Sequence, residues 1–258
     1  LEQHAEVLMV DQQFQHDFAD GKEDLVVVIG GDGSILQSAR QMGWRQRPVL
    51  GVNVGRLGFL AAVSPEQFIE AWPEVCRGEF SISTHLMLQC QVFREDHCLA
   101  TQVGLNEAAI LGGPPYSMLQ IDLYVDQELA TTYNCDGLIV STPIGSTAHN
   151  LSAGGPILHK DLQAFVISPI SPHTLTMRPV VDTADRIFEL VVRSPNESTS
   201  IVVDGRAVCR LEVGYRVRVS RSHSTFQLIS LPGQNDYVTL REKLGWRGSP
   251  SGLHAPDS

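Results

Sequence analysis

The chain has 258 residues, of which 43% are apolar and 19% charged, an ordinary globular balance with room for a substantial core in one large domain or two. A formal charge of −10 argues against nucleic acid as a main partner, because a phosphodiester groove needs clustered Lys and Arg; nucleotide ligands stay open, since helix N-termini and backbone nests hold phosphates without net basic charge. No apolar run approaches the roughly 20 residues of a membrane span, and five cysteines without a C-x-x-C pair speak against a disulfide framework or zinc site and for a reducing, cytoplasmic setting.

The chain opens on Leu1 with no signal-peptide pattern and passes into a helix end and a strand over Glu6 to Val10, which reads as a chain whose first piece is missing. Leu25 to Ile29 is a continuous β-branched run, as expected of a parallel strand buried on both faces. It breaks at Gly30-Gly31-Asp32-Gly33-Ser34 and continues as Ile35, Leu36, Ala39 and Met42, an apolar stripe at helical spacing. Val49 to Val52 is a second short strand, followed by a glycine-rich turn over residues 53–58. Ser64-Pro65-Glu66-Gln67 reads as a capping box with proline at the first helical position, and Pro73 is expected to end or kink that helix early.

From about residue 86 the pattern changes to period two. Leu119, Ile121, Leu123 and Val125 alternate with polar residues before a turn at Asp126-Gln127. Ile187 to Val192, Ile201 to Val203, Tyr215 to Val219 and Phe226 to Ile229 read as further strands, an antiparallel arrangement with one solvated face. Asp236 to Trp246 is predicted as a last short helix. The fold class expected is α/β plus all-β, a Rossmann-like N-terminal domain followed by a β-rich sandwich domain. The boundaries read as 1–86, with 231–247 returning to that domain, 87–230 for the β-rich part, and a disordered tail over 248–258.

Three segments carry chemistry. Gly30 to Ser34 lies between a buried strand and a helix, where open α/β sheets bind ligands. Its glycines allow close approach of phosphate, and Asp32 repels phosphate there unless it holds a metal or accepts a proton. The competing reading is that Asp32 or Ser34 only caps the helix. Asn106-Glu107 suits a base edge or ribose diol; the competing reading is a turn with a solvated glutamate. Residues 141–156 hold two sizeable aliphatic side chains, Ile144 and Leu151, among glycines, alanines, hydroxyls and prolines. That composition suits neither a core strand nor an amphipathic helix, and predicts a loop that offers backbone N–H groups and hydroxyls to a ligand, against the competing reading of a surface linker. The nine histidines show no metal-ligand spacing.

These segments stand in a fixed order with Asn-Val-Gly-Arg-Leu-Gly-Phe-Leu at 53 to 60, Leu-Asn-Glu at 105 to 107, Asp136-Gly137, and Ser-Pro-His-Thr-Leu-Thr-Met-Arg-Pro-Val-Val at 171 to 181. Together they resemble the NAD kinase family over residues 25–206. The resemblance implies transfer of a phosphoryl group from ATP or polyphosphate to the 2′-hydroxyl of the adenosine ribose of NAD, giving NADP, with Mg²⁺ or another divalent cation. It implies Asp32 as proton acceptor with Gly33 beside the nucleotide, and Asn106 and Glu107 as contacts to adenine and ribose. Asp136 is expected to reach the nicotinamide side, in a neighbouring subunit's site. Thr147, Ala148, His149, Asn150, Leu151 and Ser152 are expected to wall the adenine, and Ser117, Asn134 and Arg206 to line the ligand. A homodimer or homotetramer follows from the same resemblance; the histidine spacing, independently of it, gives no protein metal site. Ile144, His149 and Arg206 depart from the family's usual threonine, tyrosine and glutamine. A catalytically inactive NAD(P)-binding sensor and, sharing only Gly-Gly-Asp-Gly, a lipid kinase are the other readings.

Overall fold

The two apolar runs that open the chain become parallel neighbours: β1 (Val26–Ile29) pairs with β2 (Val49–Val52) in register from Val26 opposite Val49 to Ile29 opposite Val52. The computed structural model describes residues 5–16, 18, 21–231 and 236–246. Between the strands runs α1 (Asp32–Met42), which turns Ile35, Ala39 and Met42 inward, and after β2 comes α2 (Pro65–Cys76), which buries Phe68, Trp72 and Val75. The helices cover opposite faces. Val49 joins Ile35 and Ala39 in one apolar cluster, whereas Leu50 and Val52 join Phe68 and Trp72 in another. That alternation between two buried faces along β2 is the period of a strand read against two helices.

Most of the rest is strand: β3 (Ser81–Arg94), β4 (His97–Gly104), β5 (Glu107–Leu111), β6 (Leu119–Val125), β7 (Glu128–Cys135), β8 (Gly137–Ser141), β9 (Ala164–Ile170), β10 (Val180–Thr183), β11 (Phe188–Val192), β12 (Ser200–Val203), β13 (Arg206–Arg210) and β14 (Tyr215–Ser230). One six-stranded antiparallel sheet has the order β10-β9-β8-β5-β12-β13. The other, of eight strands, has the path β1-β2-β14-β11-β6-β7, with β3 joined to β14 and β4. Their inner faces form a sandwich core: Leu88, Ile121, Leu190 and Val217 from one sheet meet Ile110, Val140, Ile167 and Ile201 from the other. Phe165 on β9 and Phe188 on β11 meet edge to face at 5.9 Å within this core. The expected fold class, an α/β part followed by a β-rich sandwich, is the one observed.

Several local expectations need correction. Glu6 to Val10 form no strand, and Val10 is 75% exposed; a segment without a ladder partner leaves its N–H and C=O groups to water. β1 ends the sheet among the described strands, and within it only Val28 is buried while Ile29 faces solvent. Pro73 does not end α2, which continues to Cys76; Ile69, whose carbonyl loses the proline's missing N–H, lies on the exposed face where water replaces it. Tyr215 to Val219 and Phe226 to Ile229 belong to one strand, β14, bent by a register shift between Arg221 and Thr225. The first half of β14 pairs with β11 and its far end touches β2, so the strand links the sandwich to the α/β layer. β3 follows β14 from Ser81 to Arg94.

Other expectations hold. The capping box is present, with Ser64 Oγ accepting from Gln67 N at 3.2 Å and Gln67 Oε1 accepting from Ser64 N at 2.9 Å. Asp126 and Gln127, both left-handed at φ 49° and 73°, make the tight β6–β7 turn. The last helix is α4 (Asp236–Leu244), whose Lys243 ammonium lies 5.3 Å from the Phe59 ring centre. The tail at 248–258 lies outside the described residues. Phe188→Ala should lower unfolding free energy by about 3–5 kcal/mol, whereas Val180→Ser on the exposed β10 edge should change it by roughly 0.5 kcal/mol or less; urea unfolding of both variants checks the contrast.

Candidate active site

The chain leaves β1 through Gly30 and Gly31 and enters α1 at Asp32. Gly31 is the N-cap residue and gives no side-chain cap, so Asp32 does not cap the helix but sits in its first turn, where negative charge is favoured. Its carboxylate instead bridges to the glycine-rich segment after β2. Oδ2 accepts from Phe59 N at 2.8 Å, and Oδ1 accepts from Leu60 N and Ala61 N, both at 3.0 Å. Asn53 ties the same loop from the other side, donating from Nδ2 to Arg56 O at 2.7 Å and Ala61 O at 2.9 Å. Gly58 is required by this arrangement, because a β-carbon there would overlap Asp32 Oδ1. Gly33 is exposed with open space above it, so a ligand can approach its backbone. Gly58→Ala should displace the Asp32 carboxylate and lower kcat by about 100-fold while leaving the far-ultraviolet circular dichroism unchanged.

Asn106 and Glu107 lie at the tip between β4 and β5, both buried. β5 runs antiparallel to β8 with Glu107 opposite Ser141, which brings the 141–156 loop directly beside the pair. The start of that loop differs from expectation. Residues 141–146 are buried, and their hydroxyls point into the protein. Thr142 Oγ1 donates to Leu105 O at 2.5 Å and accepts from Gly145 N at 3.1 Å, while Ser146 Oγ donates to Pro143 O at 2.5 Å and accepts from Leu158 N at 2.9 Å. A buried hydroxyl without a partner is unfavourable, and the protein's own carbonyls and amides are nearest. Gly145 permits the close approach: a β-carbon there would overlap the Asn106 backbone.

The remaining predicted residues divide by position. Thr147, Ala148, His149 and Leu151 are half-buried and Ser152 is exposed, around a short helical turn, α3 (His149–Ser152). Asn150 is fully buried, with Nδ2 donating to Ser146 O and Pro156 O at 3.0 and 2.9 Å and Oδ1 accepting from Ser168 Oγ at 2.6 Å, so its amide holds the loop closed. Ile144 is buried in the cluster that contains Ile35, Leu60 and Leu105, which accounts for an aliphatic residue there. Arg206 is exposed at the start of β13, near the Glu107 end of the sheet.

Ser117, Asn134 and Asp136 lie elsewhere. Asp136 precedes β8 and Glu107 pairs with the last residue of β8, so five strand residues separate them, about 17 Å. At that end His173 donates its N–H to Asn134 O at 2.9 Å, the His173 ring nitrogen is 3.4 Å from Asp136 Oδ1, and Ser117 Oγ accepts from Asn196 Nδ2 at 3.3 Å. Asn134 Oδ1 is buried without a hydrogen-bond partner. Within one chain this group does not converge with Asp32, Asn106 and Glu107.

The chain matches the family model for the ATP-NAD kinase N-terminal domain over residues 6–80 and that for the C-terminal domain over residues 105–231. It is 66% identical to a NAD kinase of Rhodopirellula baltica across 96% of this chain and 80% of that one, and 41% identical to a NAD kinase of Cellvibrio japonicus across 87% and 75%. The chain belongs to the NAD kinase family. Solved structures agree: yeast NADH kinase complexed with NADH superposes with a TM-score of 0.82 at 27% identity, covering 90% of this chain and 68% of that one. A NAD kinase from Archaeoglobus fulgidus in complex with ATP has a TM-score of 0.73 at 29% identity, covering 87% and 84%.

Two further groups belong to this NAD kinase fold and escaped the sequence reading. The backbone amides of residues 59–61 hold Asp32, and the Asp204 carboxylate lies against Glu107. The Asp204-Gly205 dipeptide is a hairpin signal that marks the turn, but nothing in it points to residues a hundred positions earlier. Burial first, and then the charge of Asp204, push the Glu107 carboxyl up to about 8, and Glu107 Oε2 is buried without a hydrogen-bond partner. Because the folded state then holds a proton that the unfolded state releases above its ordinary 4.5, stability falls as pH rises from about 4.5 to about 8 and levels off beyond. Glu107→Gln should remove this slope, so that the variant gains on the wild type by on the order of a few kcal/mol across that window, read from urea unfolding at several pH values.

Proposed function

We propose that the chain phosphorylates the 2′-hydroxyl of the adenosine ribose of NAD with ATP, giving NADP and ADP, with Asp32 as the general base. The observation that carries this reading is the Asp32 carboxylate, fixed at the start of α1 by three backbone N–H groups. A carboxylate has about four lone-pair sites. Two on Oδ1 and one on Oδ2 are engaged, which leaves one on Oδ2 for an incoming hydroxyl. As the ribose oxygen forms its bond to the γ-phosphorus and the bond from that phosphorus to the β-bridging oxygen breaks, the hydroxyl proton passes to Asp32. Polyphosphate as donor would require the same proton transfer.

Asn106 recognises adenine and Glu107 the ribose, with Gly33, Thr147, Ala148, His149, Leu151, Ser152 and Arg206 around the dinucleotide and Asn150 holding its loop. Ser117, Asn134 and Asp136 serve a neighbouring copy's site, a reading supported by their separation from Glu107 and by the unpartnered Asn134 Oδ1. A homodimer or homotetramer follows from it. Among the described residues no group of three or more His, Cys, Asp or Glu side chains could hold a metal ion. Mg²⁺ would accompany the nucleotide phosphates, where it would offset their charge. No described helix is long and apolar enough to cross a membrane. The five free cysteines support a cytoplasmic location.

Asp32→Asn should lower NADP formation from NAD and ATP by at least about 100-fold while calorimetric NAD binding persists; unchanged turnover removes Asp32 from the chemistry. Wild-type protein that binds NAD but forms no NADP would favour the sensor instead.

A further inference from the structure

The tip that carries Asn106 and Glu107 is held by a residue from another hairpin. Asp204 occupies the β12–β13 turn in the left-handed region at φ 46°, followed by Gly205 at φ 76°. Its carboxylate accepts three consecutive backbone N–H groups: Oδ2 from Leu105 at 2.7 Å, and Oδ1 from Asn106 at 2.7 Å and Glu107 at 3.1 Å. The carbonyls of the same three residues are also engaged. Thr142 Oγ1 donates to Leu105 O at 2.5 Å, Thr142 N to Asn106 O at 2.8 Å and Asp204 N to Glu107 O at 3.0 Å. Gly104 lets the turn come this close, because a β-carbon there would lie 2.7 Å from Val203 Cγ1.

We propose that Asp204 is a positioning residue for dinucleotide recognition, whose carboxylate fixes the Leu105–Glu107 backbone so that the Asn106 and Glu107 side chains face the ligand. This rests on the reading of those two residues as the NAD-binding pair. A neutral side chain cannot replace the carboxylate, since three N–H groups need two acceptor oxygens and hydrogen bonds to an ionised acceptor are about twice as strong.

The charge has a second effect. Asp204 lies against Glu107 and disfavours its ionised form. Burial raises the Asp204 carboxyl above its ordinary value, an effect opposed by the three backbone N–H groups and then by the charge of Arg40 on α1, and Arg206 at the start of β13 in turn faces Arg40. β8, which flanks Glu107 on the other side, contributes no ionisable side chain from Gly137 to Ser141, and neither does the adjoining end of β4 at Val103 and Gly104. Asp204 is thus the charged neighbour that acts on Glu107, and Arg40 connects the pair to the helix that starts at Asp32. A ribose diol donates hydrogen bonds best to an ionised Glu107. NAD binding should therefore tighten as pH rises through the Glu107 transition.

Asp204→Asn is the direct test, because asparagine tolerates the left-handed turn yet keeps only one acceptor oxygen. At pH 9, where Glu107 is ionised in both proteins, KM for NAD should rise by about tenfold, the equivalent of one or two lost hydrogen bonds, with KM for ATP unchanged. The inflection of KM for NAD against pH, near 8 in the wild type, should also move to lower pH in the variant, a shift that a merely structural role would not produce. An unchanged KM for NAD, or an inflection that stays in place, overturns the proposal. If Asp204→Asn does not fold, Asp204→Glu keeps the charge but displaces the oxygens; a raised KM for NAD with an unmoved inflection then supports the proposal, and an unchanged KM overturns it. A wild-type protein that forms NADP while either overturning result holds would leave the kinase reading intact and remove only Asp204 from it.

Discussion

The geometry around α1 depends on one carboxylate collecting backbone amides. Phe59, Leu60 and Ala61 all direct their N–H groups to Asp32, so the segment after β2 is shaped around the first turn of the helix. Three charge-assisted bonds to one side chain restrict both partners. The loop cannot relax away without leaving an ionised group unsatisfied, and the aspartate cannot rotate without losing three donors. The glycines around it follow from that constraint, with Gly58 leaving the space that Asp32 Oδ1 occupies. The same device recurs at the Asn106-Glu107 tip, where Asp204 collects three more consecutive amides. Both carboxylates immobilise irregular backbone that neither helix nor sheet could hold.

The two clamps meet across a shared core rather than through a direct bond. Ile35 from α1, Leu60 from the Asp32 loop, Leu105 from the Asn106 tip and Ile144 from the 141–156 loop pack into one cluster with Val49 and Phe226. Each chemically active segment is thus anchored by an apolar neighbour one to three residues away, and a well-packed core transmits little slack. β14 supplies the larger frame. Paired with β3 along nearly its whole length, it lies beside β11 in the sandwich and reaches β2 in the α/β layer, so both layers share one ladder.

Local signals were legible where the chemistry is local. The capping box at Ser64, the helical stripe from Ile35 to Met42 and the Asp126-Gln127 turn each depend on residues within four positions, and the structure has all three. Pro73 and the Glu6 to Val10 run misled because their outcome depends on surroundings: a solvent-facing carbonyl in one case, the lack of a partner strand in the other. In the 141–156 loop the sequence showed small and hydroxylated residues without showing which way they point. Ser141, Thr142 and Ser146 turned inward to satisfy buried backbone, and Asn150 spends its amide on the loop itself.

The sequence by itself determined the fold class, the order of the segments and, through the resemblance of its motifs, the family, because periodicity, turn residues and motifs are properties of neighbours along a chain. Only the tertiary structure decided which of those groups share a site. Register between β5 and β8 sets Glu107 beside Ser141 and leaves Asp136 at the far end, and a hairpin about a hundred residues away brings Asp204 under the Asn106-Glu107 tip. These are long-range pairings fixed by sheet register and by the need to satisfy buried amides, and no local pattern encodes them.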